Sequence, residues 1–472
     1  MTTLRIFKHY IRVQFLILAL VEGAVFIASV YIGTHIRFGG DFGLAEAANA
    51  ELQLWPLFPR AMVYAIVMMG SMISLGLHQA QRREGFSEVL LRFGVSGLMG
   101  ITGLSVIFYL IPQLYIVRGA FVSSFIVSFL LIAIIRYIFF NIVGKDILKR
   151  HILVFGAGAR AASINELREG AAQNNFYLEG FVHIPGEHDV IDSEKVIHLD
   201  TPLLEFVFER KVEEVVIAVN DRRKDFPLDE LLDCRLSGVE VIEPITFIER
   251  ETGKVSLELL HPSWMIFSDG FQRSHLGSYL ERAFDIVGSI AILAVTWPIL
   301  VVTAVAIWLE SGARYPIFYK QVRVGQNGAH FNLLKFRSMR VDAEKGGIAR
   351  WASLGDDRVT RVGRIIRKYR IDELPQIINI LRGDMSMVGP RPERPEFVKD
   401  LSEKIAYYGE RHRVKPGLTG WAQMKYPYGS SEKDAIEKLQ FDLYYVKNHS
   451  LFLDLYILLQ TAQVVLWGKG AR

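Results

Sequence analysis

The sequence predicts a membrane protein of mixed class, with a helical part and two α/β parts. Three observations carry that prediction. Half of the 472 residues (51%) are apolar and mean hydropathy is +0.24, too high for an ordinary soluble chain. Four apolar runs of spanning length come early in the chain. Beyond them, short β-prone runs alternate with helical patterns, as in an α/β fold. Lysine and arginine exceed the acids only by 54 − 50 = 4, so whole-chain charge selects no partner. The single cysteine, Cys234, excludes an intramolecular disulfide framework and a multi-cysteine metal site.

The four apolar runs are residues 15–36, 62–77 with flanks, 89–111 and 121–140. They predict a four-helix transmembrane bundle over residues 1–145. The first run is too long for a signal peptide and no small-residue cleavage pattern closes it. Arg5, Lys8 and Arg12 precede it, Arg82 and Arg83 lie between the second and third runs, and Lys145, Lys149 and Arg150 follow the fourth. The other loops carry Arg37 and Arg60 among acids, and Arg118 alone. The positive-inside rule therefore places the amino terminus, and whatever follows the fourth span, in the cytoplasm.

Residues 146–275 read as a Rossmann-like α/β domain. "HILVFGAGARAASINEL" has the pattern of a strand, a glycine turn and a helix, and "EEVVIAVN" and "VEVIEPI" are later buried strands. Gly156, Gly158 and Ala161 approximate G-x-G-x-x-G/A, in which glycines let a backbone approach a pyrophosphate at a helix N-terminus. Gly156 and Gly158 are thus candidate cofactor-binding residues, and Glu179 falls near the place of a ribose-binding acid. A tight strand-to-helix turn without any dinucleotide explains the same residues.

Residues 276–472 form the third part. It opens with "FDIVGSIAILAVTWPILVVTAVAIWL", which hydropathy alone assigns as a fifth span. Two facts oppose a straight crossing. Pro298 sits at its middle, where proline removes a helix hydrogen bond. A crossing would also carry outside the most basic stretch of the chain, residues 314–370, with 14 lysines and arginines against 4 acids. The expectation is a re-entrant helix, 282–310, that breaks at Trp297–Pro298 and returns to the same face.

A hairpin follows around Asn327-Gly328, with Lys335 and Arg337 on its second strand. Residues 360–370 are amphipathic. Val362, Ile365, Ile366 and Tyr369 make one face and Arg361, Arg364, Arg367 and Lys368 the other, a surface suited to anionic headgroups or phosphates. Next comes "YRIDELPQIINILRGDMSMVGPRPE". The apolar spacing 374, 377, 378, 381 is helical, so Asp372 is expected to N-cap a helix. The dyad can be purely structural, Asp372 capping and Glu373 facing the helix dipole. It can also be chemical. A carboxylate among phosphate-binding cations suits a nucleophile at phosphorus, Asp372. Glu373 could hold Mg²⁺, and Arg391, between two prolines, could clamp a phosphate. At the end of the chain, residues 451–467 are apolar but carry Asp454, Gln460 and Gln463 on one side. They predict an amphipathic helix lying on the membrane or the core.

The block "KFRSM … DELPQIINILRGDMSMVGPRP … KPGLTGWAQ", followed by "FDLYYVKNHSLFLDL", resembles the bacterial polyprenyl-phosphate phosphoglycosyl transferases, the monotopic sugar transferases of exopolysaccharide and O-antigen assembly. The resemblance runs from about Glu281 to the end, and the layout of the whole chain resembles the large branch of that family. "HPSWMIFSDGF" and "GKGAR" look most like the sugar transferases of exosortase (PEP-CTERM) clusters. The resemblance implies transfer of a sugar-1-phosphate from a UDP-sugar to undecaprenyl phosphate, with release of UMP. It implies Asp372 as covalent nucleophile, Glu373 in the metal role with Mg²⁺ as cofactor, and Lys335 and Arg391 on phosphates. The implied partners are the two substrates and membrane lipids, with no nucleic acid; separately, the first 275 residues could support a homodimer. The implied location is the bacterial inner membrane, with the catalytic domain facing the cytoplasm. Many members have serine before the helix-breaking proline; here it is Trp297.

Two rival classes stand beside this reading. A membrane-tethered, NAD-dependent nucleotide-sugar dehydratase or epimerase would use the Gly156 turn, but no tyrosine has lysine four residues on. A processive glycosyltransferase would need Asp-x-Asp and Gln-x-x-Arg-Trp. The first is absent and "ARW" at 349–351 lacks its glutamine.

Overall fold

The computed structural model describes residues 3–6, 9–41, 49–78, 86–143, 149–170, 176–220, 226–268, 271, 275–312, 315–340, 358–426, 429 and 431–467. Lys8, Arg82, Arg83 and Lys145 of the orientation argument, residues 349–351 and the GKGAR segment lie outside them, as does the Gln463 side chain. The chain forms two compact units, Met1–Ile6 with Tyr10–Thr252, and Phe7–His9 with Gly253–Arg472.

In the first unit, α1 (Val13–Arg37), α2 (Leu57–Ser74), α3 (Phe86–Leu110) and α4 (Arg118–Val143) are the early apolar runs. Each contains a stretch long and apolar enough to cross a membrane. The second begins earlier than residue 62, directly after Pro56, which cannot donate a hydrogen bond and so tolerates the unpaired start of a helix. α1 packs on α4 and α2, and α2 on α3, around Phe26, Tyr64, Met72, Leu104 and Ile132. Outward positions such as Leu20, Ile66 and Leu98 are also apolar and exposed, as expected of helices surrounded by hydrocarbon.

The same unit holds a five-stranded parallel sheet. β1 (Arg150–Phe155), β2 (Phe176–Val182), β3 (Val196–Ile197), β4 (Glu214–Ile217) and β5 (Glu240–Ile242) lie in the order β3-β2-β1-β4-β5. The order reverses between β1 and β4, the place where open sheets of this kind bind ligands. α5 (Ala159–Gly170) follows the glycine turn.

The second unit begins earlier than the expected boundary near residue 275. Gly253 O accepts from Trp421 Nε1 at 2.7 Å, Val255 N donates to Gln440 O at 3.0 Å, and Lys447 Nζ stands 4.0 Å over the Trp264 ring. These long-range contacts, invisible to composition, assign residues 253–268 to it. Its sequence-predicted hairpin is present: β6 (Phe318–Val324) pairs antiparallel with β7 (His330–Phe336), and Asn327 takes the left-handed conformation (φ 53°) that the turn dipeptide permits.

The apolar run is one helix, α6 (His275–Ser311), of 37 residues. Its helical hydrogen bonding continues through Pro298, so the expected break at Trp297–Pro298 is not a loss of helix. Proline removes only one donor, and neighbouring bonds persist, including Thr296 Oγ1 on Ile292 O at 2.8 Å. Residues near both ends of α6 contact other parts of the second unit. Arg282 caps the carbonyls of Ile380 and Leu381 (2.5 and 2.6 Å), and Asp285 accepts from Met387 N at 2.9 Å. At the other end Ile307 packs on Phe336 and Ile366, and Ser311 bonds Arg337. Between them Val295, Trp297, Val301 and Val302 are exposed. The final helix, α7 (Leu451–Trp467), turns Asp454 and Gln460 inward: both are buried, and Asp454 accepts from Tyr445 OH at 2.7 Å.

Candidate active site

The acidic dyad does not cap an α-helix. A basic helix (Arg361–Lys368), capped by Thr360 Oγ1 on Gly363 N at 2.9 Å, ends at Tyr369. Arg370 then takes a left-handed conformation (φ 53°) and turns the chain into a 3₁₀ segment, Ile371–Gln376, with no side-chain cap. The α-helix begins only at Ile377. Six residues with a proline at the fifth make a tight turn. Its apolar end, Ile371, joins the cluster of Ile307, Phe336 and Ile366. Asp372 and Glu373 are both buried.

Three basic side chains converge on Glu373. Lys335 Nζ lies 3.0 Å and an Arg391 amino nitrogen 2.9 Å from its Oε1, and Arg370 reaches Oε2 at 3.4 Å. Burial alone would raise this carboxyl, but Lys335, Arg391 and Arg370 outweigh it and hold it well below the usual carboxylate range. Its neighbour behaves oppositely. Among the described residues no side chain bonds the Asp372 carboxylate. Burial first, and the Glu373 charge second, push it up to about 6 against the pull of Lys335, Arg367 and Arg391. Two adjacent carboxyls with proton affinities driven apart are the mark of divided roles. Burial also draws the Lys335 ammonium down, against the charge of Glu373.

The parts are set by the fold. Lys335 stands on β7, which Asn379, on the α-helix that follows the dyad turn, ties down: Asn379 Oδ1 accepts from Leu334 N at 3.0 Å and its Nδ2 donates to Asn332 O at 2.8 Å. Arg391 sits on a turn after β8 (Ser386–Val388), which pairs parallel with β9 (Gly417–Thr419). There the GPRP and KPGLTG segments meet glycine to glycine, and a Cβ on Gly417 would collide with the Gly389 nitrogen. Sequence reasoning named Asp372, Glu373, Lys335 and Arg391, and the structure brings all four together. It missed Arg370, which stood only as the end of the basic segment 360–370, and Asn379, whose signal was a lone polar residue inside "IINILR". Arg337 goes elsewhere, to Ser311 and over the Tyr315 ring at 5.6 Å.

The glycine turn of the first unit is a different case. Gly156 has φ +117° and Gly158 abuts Asn220, so the residue types fit the backbone. Yet the mouth of α5 is filled by the protein itself. Asn220 Oδ1 accepts from Arg160 N at 3.3 Å, and Glu187 accepts from Asn220 N at 2.9 Å. Glu179 lies 2.6 Å from His151 Nδ1. The dehydratase alternative, which stood on this turn, loses its support.

A family model described as bacterial sugar transferase matches residues 276–468. The Exopolysaccharide production protein PSS of Rhizobium leguminosarum bv. phaseoli is 39% identical over 198 residues, 40% of this chain and 98% of that protein. The chain belongs to the bacterial sugar transferase family. It is also 40% identical over 242 residues to the UDP-N-acetylgalactosamine-undecaprenyl-phosphate N-acetylgalactosaminephosphotransferase of Aeromonas hydrophila, with 51% of this chain and 56% of that protein covered. The UDP-glucose:undecaprenyl-phosphate glucose-1-phosphate transferase of Caulobacter vibrioides is 42% identical over 193 residues, 40% of this chain and 71% of that protein. The match thus spans about half of the Aeromonas relative.

Proposed function

We propose that this chain moves a sugar-1-phosphate from a UDP-sugar to undecaprenyl phosphate, through a covalent intermediate on Asp372. The contrast within the dyad is the observation that supports it. Among the described residues no cation lies at bonding distance from Asp372, whereas Glu373 is held by three. In the first step an Asp372 carboxylate oxygen attacks the phosphorus nearer the sugar, and the bond to the bridging oxygen breaks. UMP leaves with that oxygen. In the second step an oxygen of undecaprenyl phosphate attacks the same phosphorus and displaces Asp372, leaving a lipid diphosphosugar. Lys335, Arg370 and Arg391 are placed to move from Glu373 to phosphate oxygens, which offer more negative charge.

Mg²⁺ suits this donor set, since it commonly takes one or two protein carboxylates and fills its shell with phosphate and water. Glu373 is the candidate ligand, and the ion would neutralise the diphosphate. The names of the relatives carry the substrate classes and, with the Rhizobium protein, an exopolysaccharide pathway. The exosortase-cluster association remains a proposal on sequence resemblance alone. The contacts of both ends of α6 within one unit, with exposed apolar residues between them, support a re-entrant helix and a cytoplasmic catalytic unit. The exposed Ile365 and Tyr369 beside Arg364 and Lys368 suit the headgroup layer.

The test needs no lipid acceptor. Purified chain with Mg²⁺ and a panel of UDP-sugars should release about one UMP per active site and gain a sugar phosphate on the peptide containing "IDELPQ". Absence of both, in a preparation that turns over once lipid phosphate is added, would mean direct attack by the lipid and no covalent step.

A further inference from the structure

The turn that carries Arg391 has prolines at 390 and 392, so it cannot anchor itself through backbone donors there. It is held through its carbonyls. Val388 O accepts from Tyr445 OH (3.1 Å), Pro390 O from Gly417 N (3.0 Å), Pro392 O from Arg323 (3.0 Å) and Glu393 O from Val324 N (3.0 Å). The carbonyl of Arg391 itself accepts from Arg411 at 3.0 Å. Arg411 is 6% exposed and is held by other partners: its guanidinium contacts Asp442 at 2.8 Å, donates to Tyr408 OH at 2.8 Å and stands 5.2 Å over the Tyr408 ring. Asp442 is 2% exposed. A buried arginine and a buried aspartate need mutual pairing to be tolerated, and here the pair ends on the backbone of the one residue that reaches from this turn to Glu373.

We propose that Arg411, locked by Asp442 and Tyr408, is a positioning residue that fixes the backbone of Arg391 and thereby aims its guanidinium at a substrate phosphate. The hydrogen bonds of Arg411 go to Tyr408, Asp442 and the Arg391 carbonyl, not to the dyad. Lysine cannot replace it, because one ammonium lacks the planar fork that serves a carbonyl, a carboxylate and a phenol together. The inference rests on the reading of Arg391 as a phosphate ligand.

The test is a double-mutant cycle on the full chain, with inorganic pyrophosphate as probe and its dissociation constant from calorimetry as readout. UMP release is measured separately, so a wrong overall reaction appears there and not in the cycle. Arg411→Lys should weaken pyrophosphate binding by about tenfold in the parent and less than twofold in an Arg391→Ala background. Tyr408→Phe, a gentler change, should weaken it by about threefold, again only when Arg391 is present. Equal losses in both backgrounds would make Arg411 a generic stabiliser and overturn the proposal, as would a parent that does not bind pyrophosphate. Should Arg411→Lys not fold, the Tyr408→Phe cycle decides alone.

Discussion

Two places in this molecule look like anion sites in the sequence, and only one has the electrostatics of such a site. The Gly156–Gly158 turn opens α5 in the geometry that cradles phosphates elsewhere, but Glu187 and Asn220 close it. The Asp372–Glu373 turn carries two acids, the wrong sign for an anion, yet Lys335, Arg370 and Arg391 surround it. A local motif specifies how the backbone turns. What the turn can bind depends on the side chains that distant segments deliver to it, and their charge outweighs the helix-end dipole, worth only about 0.3–1 kcal/mol when exposed.

That comparison can be broken most sharply at Asp372. Asp372→Asn keeps size and shape, removes a buried charge, and loses no hydrogen bond to the carboxylate among the described residues, so melting temperature at neutral pH should not fall. UMP release should fall by roughly a thousandfold or more, and the adduct should vanish. Retained turnover would remove Asp372 from the chemistry. Glu373→Gln should cost about a hundredfold, because three cations lose the charge that places them. Part of that loss should return at raised Mg²⁺ if the carboxylate also holds the ion.

The raised proton affinity of Asp372 predicts a pH dependence of opposite sign for activity and stability. Lipid-independent UMP release should fall about tenfold per pH unit below about 6, where Asp372 is protonated, and level off above. For folding, the bound proton stabilises. That contribution is full below the ordinary carboxylate value of about 4 and is lost as pH rises through about 6. Asp372→Asn should flatten both around pH 6. A rate profile without an inflection between pH 5 and 7 would contradict the role of burial at this carboxyl.

The smallest effect belongs to the other turn. Glu187→Gln should change UMP release by less than about twofold, since that carboxylate closes a turn the proposed chemistry does not use. A gain of nicotinamide-dinucleotide binding in that variant would show the turn to be a masked nucleotide site and reopen its role.

Local sequence was sufficient for what depends on neighbours along the chain. Apolar runs of bilayer length gave four early helices and the long α6, since hydrocarbon thickness sets a length that can be counted. The Asn327-Gly328 hairpin, the glycine turn and the dyad were legible for the same reason: each is a few residues with a narrow conformational choice. The resemblance of the DELPQ and GPRP motifs supplied the roles. Tertiary structure decided the rest. Whether Asp372 capped a helix depended on Arg370 entering the left-handed region, which no propensity scale favours for arginine. That Glu373 and not Asp372 takes the cations depended on a strand, a proline turn and a helix end separated by up to 56 positions along the chain (391 − 335). Residues 253–268 joined the second unit because Trp264 and Trp421 found partners far away in sequence. Side-chain pairing in a low-dielectric site is a matter of ångströms, and those distances exist only once the chain has folded.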